Sequence, residues 1–332
     1  MLTIVIVIVA LALLYDFLNG MNDAANSIAT VVSTRVLKPY QAVLWAAFFN
    51  FAAIWFFGTK VADTIGKIVH PHLVNHYIVM GGLIGAGIWV YACTHFGMPI
   101  SVSHSLIGGM IGAAMAEYGM YEGGELIFHQ EKLMKILLFI FLAPLIGWLV
   151  GFLLIISTLW LCRRMNPYRA DKFFRVMQLI SSAAFSIGHG ANDAQKVMGI
   201  ITVLLFVTGY IPAMNVPVWV EISCYSMISL GTLLGGWRVI KTLGVGLTHL
   251  RPIGGFSAET AGAITLFGTA AAGIPASTTH TITGAIMGVG MVKGISAVKW
   301  GVAGNIVVAW LLTIPAAALM SALTYWVIKL FL

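Results

Sequence analysis

Charge is what this chain has least of. Only 9% of its 332 residues are Asp, Glu, Lys or Arg and 60% are hydrophobic, against roughly 25% charged and 45 to 50% apolar in a soluble domain. That shortage excludes an ordinary water-solvated fold. Apolar stretches of membrane-spanning length recur from end to end and leave no room for a separate soluble domain. Cysteine is nearly absent too: Cys93, Cys162 and Cys224 are odd in number and lie in or beside apolar segments, so they read as small core residues rather than a disulfide framework. No basic residue precedes the first apolar run, which argues against a cleaved signal peptide. The net charge of +7 concerns orientation in a bilayer, because Lys and Arg gather in connections beside spans, and it gives no reason to expect a nucleic-acid partner.

Within the apolar sequence two polar phrases are each written twice. Gly20-Met21-Asn22-Asp23-Ala24 returns as Gly190-Ala191-Asn192-Asp193-Ala194. The run Gly97-Met98-Pro99-Ile100-Ser101-Val102-Ser103-His104-Ser105 returns as Gly273-Ile274-Pro275-Ala276-Ser277-Thr278-Thr279-His280-Thr281, with Gly108 and Gly112 matched by Gly284 and Gly288. The order is the same in both halves, which a single duplicated unit explains. Residues 1–162 form the first transmembrane repeat, 163–175 a cytoplasmic connection and 176–332 the second repeat.

In the first repeat the sequence predicts a helix broken near Gly20 within 2–34, a span over 40–58 and a polar connection over 59–77, where Asp63 and Lys67 form a solvated helical pair. Glycine-rich pieces at 80–96 and 103–118 read as arms of a re-entrant hairpin, and a long span follows over 133–161. The second repeat has a broken segment over about 174–209, a span over 218–237, a hairpin over about 257–291 and a last span over 299–328. Pro144 and Pro315 sit mid-span and imply kinks without a chemical role. Three crossings per half turn the second repeat upside down relative to the first, with both termini outside. This places 12 of the 18 Lys and Arg inside and 5 outside, Lys196 lying within a span; four crossings and parallel halves give 11 and 6. The fold class is therefore an all-α polytopic membrane protein of two inverted-topology repeats, with broken helices and re-entrant hairpins.

A hairpin tip of the form Gly-x-Pro followed by hydroxyl residues points a helix N-terminus into the protein. Its free N–H groups, with the hydroxyls of Ser101, Ser103, Ser105, Ser277, Thr278, Thr279 and Thr281, form an anion site suited to a tetrahedral oxyanion. The bland alternative is that hydroxyls serve their own helix backbone. His104 and His280 either join the site or pack behind the tips. Asp23 and Asp193 would repel an anion unless cations neutralise them. The side chains of Asn22, Asn26, Asn192 and Gln195 supply hard oxygen ligands for sodium beside the two carboxylates, and protonation of an Asp is the alternative. Lys196 stands where the first half has Asn26, either on the anion or paired with Asp193. Glu259 and Asp16 are intramembrane acids without repeat counterparts.

These residues resemble the inorganic phosphate transporter (PiT) family of sodium- or proton-coupled phosphate permeases. The Gly-Ala-Asn-Asp signature stands at Gly190 to Asp193 and, with Met21 for Ala, at Gly20 to Asp23. The Pro-x-Ser-x-Ser/Thr-His motif stands at Pro99 and at Pro275. The resemblance implies a transporter, not an enzyme. It implies import of inorganic phosphate by symport with sodium and alternating access, in a homodimer of the cell (inner) membrane, with sodium as co-substrate and no cofactor. Phosphate would meet the tip residues, His104 included, with Asn22, Asp23, Asn192 and Asp193, while Glu259 and Lys196 would serve coupling. Asn50 departs from the family, which often has Glu there. A proton-coupled phosphate or sulfate permease is the alternative reading. An intramembrane hydrolase built from Ser103, His104 and Asp23 fits the duplication poorly, because an enzyme needs one asymmetric nucleophile and base. An anion channel would be distinguished by flux that ignores a cation gradient.

Overall fold

The computed structural model describes residues 1–331, the side chain of Val245 excepted. In the first half α1 (Leu2–Ser33), α2 (Pro39–Ala52) and α3 (Lys60–Gly66) lead to the antiparallel pair α4 (His76–Phe96) and α5 (Val102–Tyr118), and α6 (Gln130–Leu161) closes the unit. The second half repeats the order: α7 (Pro167–Val207), α8 (Val218–Leu234), α9 (Trp237–Gly246), α10 (Pro252–Ala271), α11 (Thr278–Met291) and α12 (Trp300–Phe331). Five of these helices are singly long and apolar enough to cross a membrane: α1, α4, α6, α7 and α12. The chain is a multi-pass membrane protein of two inverted repeats.

The repeats interlock rather than sit side by side. Helix α1 packs on α8 and α2 on α7, while α6 covers the second hairpin (α10–α11) and α12 covers the first (α4–α5). Lipid tails are as apolar as leucine, so such contacts depend on close backbone approach at small residues. A Cβ on Gly284 would lie 2.1 Å from the carbonyl oxygen of Pro144, and one on its counterpart Gly108 2.5 Å from that of Ile314.

The expected break near Gly20 does not occur, nor does one at Gly190: α1 and α7 are continuous helices. Gly20 serves contact instead of unwinding. A Cβ there would lie 2.1 Å from the Ile228 carbonyl oxygen in α8, and one on Gly190 2.4 Å from that of Asn50 in α2. Because the backbone keeps its helical hydrogen bonds, the polar load at this depth falls on side chains. The breaks fall in the second span of each half, where the continuation of α2 to Trp55 meets α3 at 89° and α8 meets α9 at 75°. Thus the stretch after Thr59, expected as a polar connection, begins with a helix whose Val61, Ala62 and Ile65 are buried. Asp63 and Lys67 do pair on its solvent side.

These short helices brace the hairpin of the opposite repeat. From α3, Lys60 Nζ donates to the Ala271 carbonyl at 3.1 Å and Thr64 Oγ1 to that of Gly273 at 2.9 Å. From α9, Arg238 donates to the His95 carbonyl and Thr242 Oγ1 to that of Gly97 at 3.0 Å. Gly97 and Gly273 hold φ of 72° and 67°, the left-handed conformation that only glycine adopts cheaply and that ends each first arm.

Candidate functional site

The two hairpin tips meet between α1 and α7. Ser101 and Ser277 cap α5 and α11, each Oγ accepting from the N–H of the histidine three residues on, at 3.3 Å. The rings of those histidines, His104 and His280, meet edge to face with centroids 4.9 Å apart. The first-turn N–H groups that no cap reaches, at Val102 and Ser103 and at Thr278 and Thr279, have no partner within their own helices.

Asp23 of α1 and Asp193 of α7 face these tips, both buried. Thr278 Oγ1 bridges them, donating to Asp193 Oδ2 at 3.0 Å and reaching Asp23 Oδ2 at 3.4 Å; Thr279 Oγ1 lies 3.3 Å from Asp23 Oδ1. Lys196 Nζ donates to Asp193 Oδ1 at 2.5 Å, to the Ala276 carbonyl at 2.9 Å and to Ser103 Oγ. Asn26 Nδ2 donates to Thr279 at 2.9 Å and Thr278 at 3.2 Å. The amide oxygens of Asn22, Asn26 and Asn192 are buried and have no hydrogen-bond partner among the described residues, which fits acceptors waiting for a cation. An oxygen of each carboxylate and a ring nitrogen of His189 come within 4.8 Å of one another.

The phosphate transporter family profile matches this chain twice, over residues 19–172 and 163–321. The chain belongs to the phosphate transporter family. A probable low-affinity inorganic phosphate transporter of Rhizobium meliloti (strain 1021) is 52% identical over 321 residues, covering 96% of this chain and 95% of the relative. One from Bacillus subtilis (strain 168) is 38% identical over 333 residues, covering 99% and 98%. A solved structure described as the sodium-dependent phosphate transporter is 28% identical, with a TM-score of 0.87 over 99% of this chain and 100% of its own. The chain is accordingly a transporter and not an enzyme, so the hydrolase reading falls.

For this phosphate transporter family member the expected hydroxyl set divides. Thr278 and Thr279 reach the carboxylates, and Ser103 meets the Lys196 ammonium. Ser101 and Ser277 are spent as caps, Ser105 Oγ donates to the Ala86 carbonyl at 3.2 Å and Thr281 Oγ1 to that of Ser277 at 2.9 Å. These four serve the backbone, as hydroxyls in apolar surroundings tend to. Gln195 is also drawn away from the centre: its Oε1 accepts the Val61 N–H at 2.9 Å and caps α3. Asn22 and Asn192 turn their amide nitrogens to the first arms, Asn22 to Thr94 Oγ1 at 2.6 Å and Asn192 to the Leu266 carbonyl at 3.1 Å. Glu259 lies apart, beside Thr30, two helical turns along α1 from Asp23. It accepts from Thr30 at 2.6 Å, Gln178 at 3.0 Å and Ser181 at 2.5 Å. Asp16 is fully buried next to Asn19, whose Nδ2 lies 3.4 Å from its Oδ1.

Two contributors escaped the sequence reading. His189 lies between Asn50 and Asp193: its Nδ1 is 3.0 Å from Asn50 Oδ1, and its Nε2 stands 3.2 Å from Asp193 Oδ2 without hydrogen-bond geometry. Its position four residues before Asp193, one helical turn away on the same face, was the available signal. Pro144 is the other. Having no N–H, it leaves the carbonyl of Ile140 without a helical partner, and His280 Nδ1 stands 3.3 Å from that oxygen. So His280 is tied to backbone behind its tip, stacked on Trp310 at 3.9 Å, while His104 Nδ1 is unpartnered among the described residues.

Proposed function

We propose that this protein imports inorganic phosphate by symport with sodium ions. The observation that carries the reading is a charge imbalance in a buried site: two carboxylates, Asp23 and Asp193, one ammonium, Lys196, and three unpaired amide oxygens. A phosphate dianion cannot approach a net negative, water-excluded centre unless a mobile cation first neutralises it, and that requirement couples the two substrates. Sodium suits oxygen-only ligands, and the likeness to a sodium-dependent transporter supports it.

The phosphate oxygens would be received by the free N–H groups of the two tips and by the hydroxyls of Ser103, Thr278 and Thr279, with the Lys196 ammonium alongside. Asp23 with Asn22 and Asn26, and Asp193 with Asn192, would surround the cation side. Glu259, held by three neutral donors and no base, would be a further coupling group on the path. The repeats, 1–162 and 176–332, would rock about this centre in alternating access, in a homodimer of the cell membrane with both termini outside.

The test is labelled phosphate uptake into proteoliposomes under an imposed sodium gradient, an imposed proton gradient, or neither, with excess sulfate as competitor. Uphill uptake driven by sodium and indifferent to sulfate is expected. Uptake driven only by protons would move the coupling to carboxylate protonation, and displacement by sulfate would overturn the substrate assignment.

A further inference from the structure

The duplicated motifs allow the two sides of the centre to be compared atom by atom. Three residues beyond Asp193, Lys196 Nζ is enclosed by Asp193 Oδ1 at 2.5 Å, the Ala276 carbonyl at 2.9 Å and Ser103 Oγ. A carboxylate, a carbonyl at a tip and a tip hydroxyl are the donors a hard cation takes. The repeat carries Asp193 to Asp23, Ser103 to Thr279 and Ala276 to Ile100. Those counterparts are also gathered: Thr279 Oγ1 stands 3.3 Å from Asp23 Oδ1 and 3.0 Å from the Ile100 carbonyl oxygen. The residue in the lysine's place is Asn26, 1% exposed, whose Nδ2 bonds Thr279 at 2.9 Å and whose Oδ1 has no partner. One oxygen cage therefore holds an ammonium, and its twin holds a neutral amide with an unpaired oxygen.

We propose that Lys196 is a built-in cation that permanently fills the second half's cation position, leaving one free cation site at the centre, in the first half, on Asp23 with Asn26, Thr279 and the Ile100 carbonyl. The inference rests on the sodium-coupled reading above. A tethered ammonium neutralises Asp193 in every state of the cycle but carries no net charge across the membrane. The transporter then spends one fewer ion per phosphate, and its accumulation ceiling is lower than in a centre with two mobile cations.

The experiment measures phosphate affinity against sodium concentration in detergent, by calorimetry, and the accumulation ceiling in proteoliposomes with the membrane potential clamped. Lys196→Asn restores the amide of the first half, so the slope of log affinity on log sodium should rise by one. At a tenfold sodium gradient its phosphate ceiling should rise about tenfold. Asn26→Lys installs the tether on the other side, and its slope should fall by one. Lys196→Met keeps the stem without the charge and should lose phosphate binding. An unchanged slope in either Lys196→Asn or Asn26→Lys, or phosphate binding retained by Lys196→Met at the unaltered slope, overturns the proposal. The sodium reading is judged separately on the unaltered chain: a slope of zero there sinks it before any variant is compared.

Discussion

Three residues beyond each Asn-Asp pair the first half carries Asn26 and the second carries Lys196, and both side chains reach across to a tip hydroxyl of the same repeat position. The backbone around them is nearly symmetric, with matching caps, braces and close-packed glycines. The charge is not symmetric. The repeated scaffold presents equivalent positions on both sides, and the difference in charge lies in the one pair Asn26 and Lys196. The comparison breaks most visibly at the carboxylates. In Asp193→Asn the Lys196 ammonium stays buried without its counter-charge, which costs on the order of 3 to 5 kcal/mol; a large fall in melting temperature in detergent is expected, together with loss of uptake. Asp23→Asn strands no charge, so its melting temperature should stay near that of the unaltered chain while uptake falls at least ~100-fold, the equivalent of about 2.7 kcal/mol. Equal destabilisation by the two substitutions would show that Lys196 does not single out Asp193.

The packing side of the comparison should respond symmetrically. Gly284 of α11 meets the Pro144 carbonyl and Gly108 of α5 meets that of Ile314, with room for a Cβ at neither. Alanine at either site forces two backbones apart, an overpacking cost of about 1 to 3 kcal/mol. Melting curves of Gly108→Ala and Gly284→Ala should drop by similar amounts. A drop confined to one would mean that the interlocking of α12 on the first hairpin and α6 on the second is unequal.

These same residues show how far the sequence could be read. The duplicated motifs, hairpins and spans were legible because each needs only local pattern: hydrophobic length, Gly-x-Pro, a polar phrase in apolar surroundings. Gly20 was misread as a hinge because glycine in a helix has two meanings, unwinding or contact, and only the position of Ile228, more than two hundred residues away, selects between them. The tip hydroxyls were likewise recognisable as a set, but the division into Ser103, Thr278 and Thr279 facing inward and four serving backbone depends on the helical phase after the cap. His280 and Pro144 come from different repeats, and no spacing rule joins a histidine to a carbonyl orphaned by a proline in another helix.

A second asymmetry lies at Glu259, which has Leu83 in the matching position of the first hairpin. Its three hydrogen-bond donors are neutral and come from α1 and α7, so it joins the second hairpin to both central helices. Glu259→Gln keeps the volume but removes the charge and turns the acceptor that Ser181 bonds into a donor. A roughly tenfold fall in uptake rate is expected, since bonds to a charged group carry about 1.5 to 3 kcal/mol, with a smaller change in melting temperature than Asp193→Asn gives. Unchanged uptake would remove Glu259 from the path.

The smallest expected effect concerns the connections. The first half closes with a histidine cluster in which the rings of His70 and His129 lie 4.0 Å apart and the His129 N–H donates to the Ile68 carbonyl at 2.9 Å. The second half's corresponding connections, residues 247–251 between α9 and α10 and 292–299 between α11 and α12, hold one histidine, His249, and no such pair. Burial, then the neighbouring His70, Lys132, Lys67 and His72, hold the His129 imidazole below its ordinary value. A histidine whose proton affinity is lower folded than unfolded binds more protons in the unfolded chain, so its contribution is fully present above the unfolded value, near 6.5, and is lost as pH falls through the folded one. The melting temperature should therefore decline modestly between about pH 7.5 and 5.5, in the window set by that lowered value, and the decline should shrink in His129→Gln. The partial exposure of the group keeps the effect small. A decline of the same steepness in His129→Gln would remove His129 as the source of the pH response.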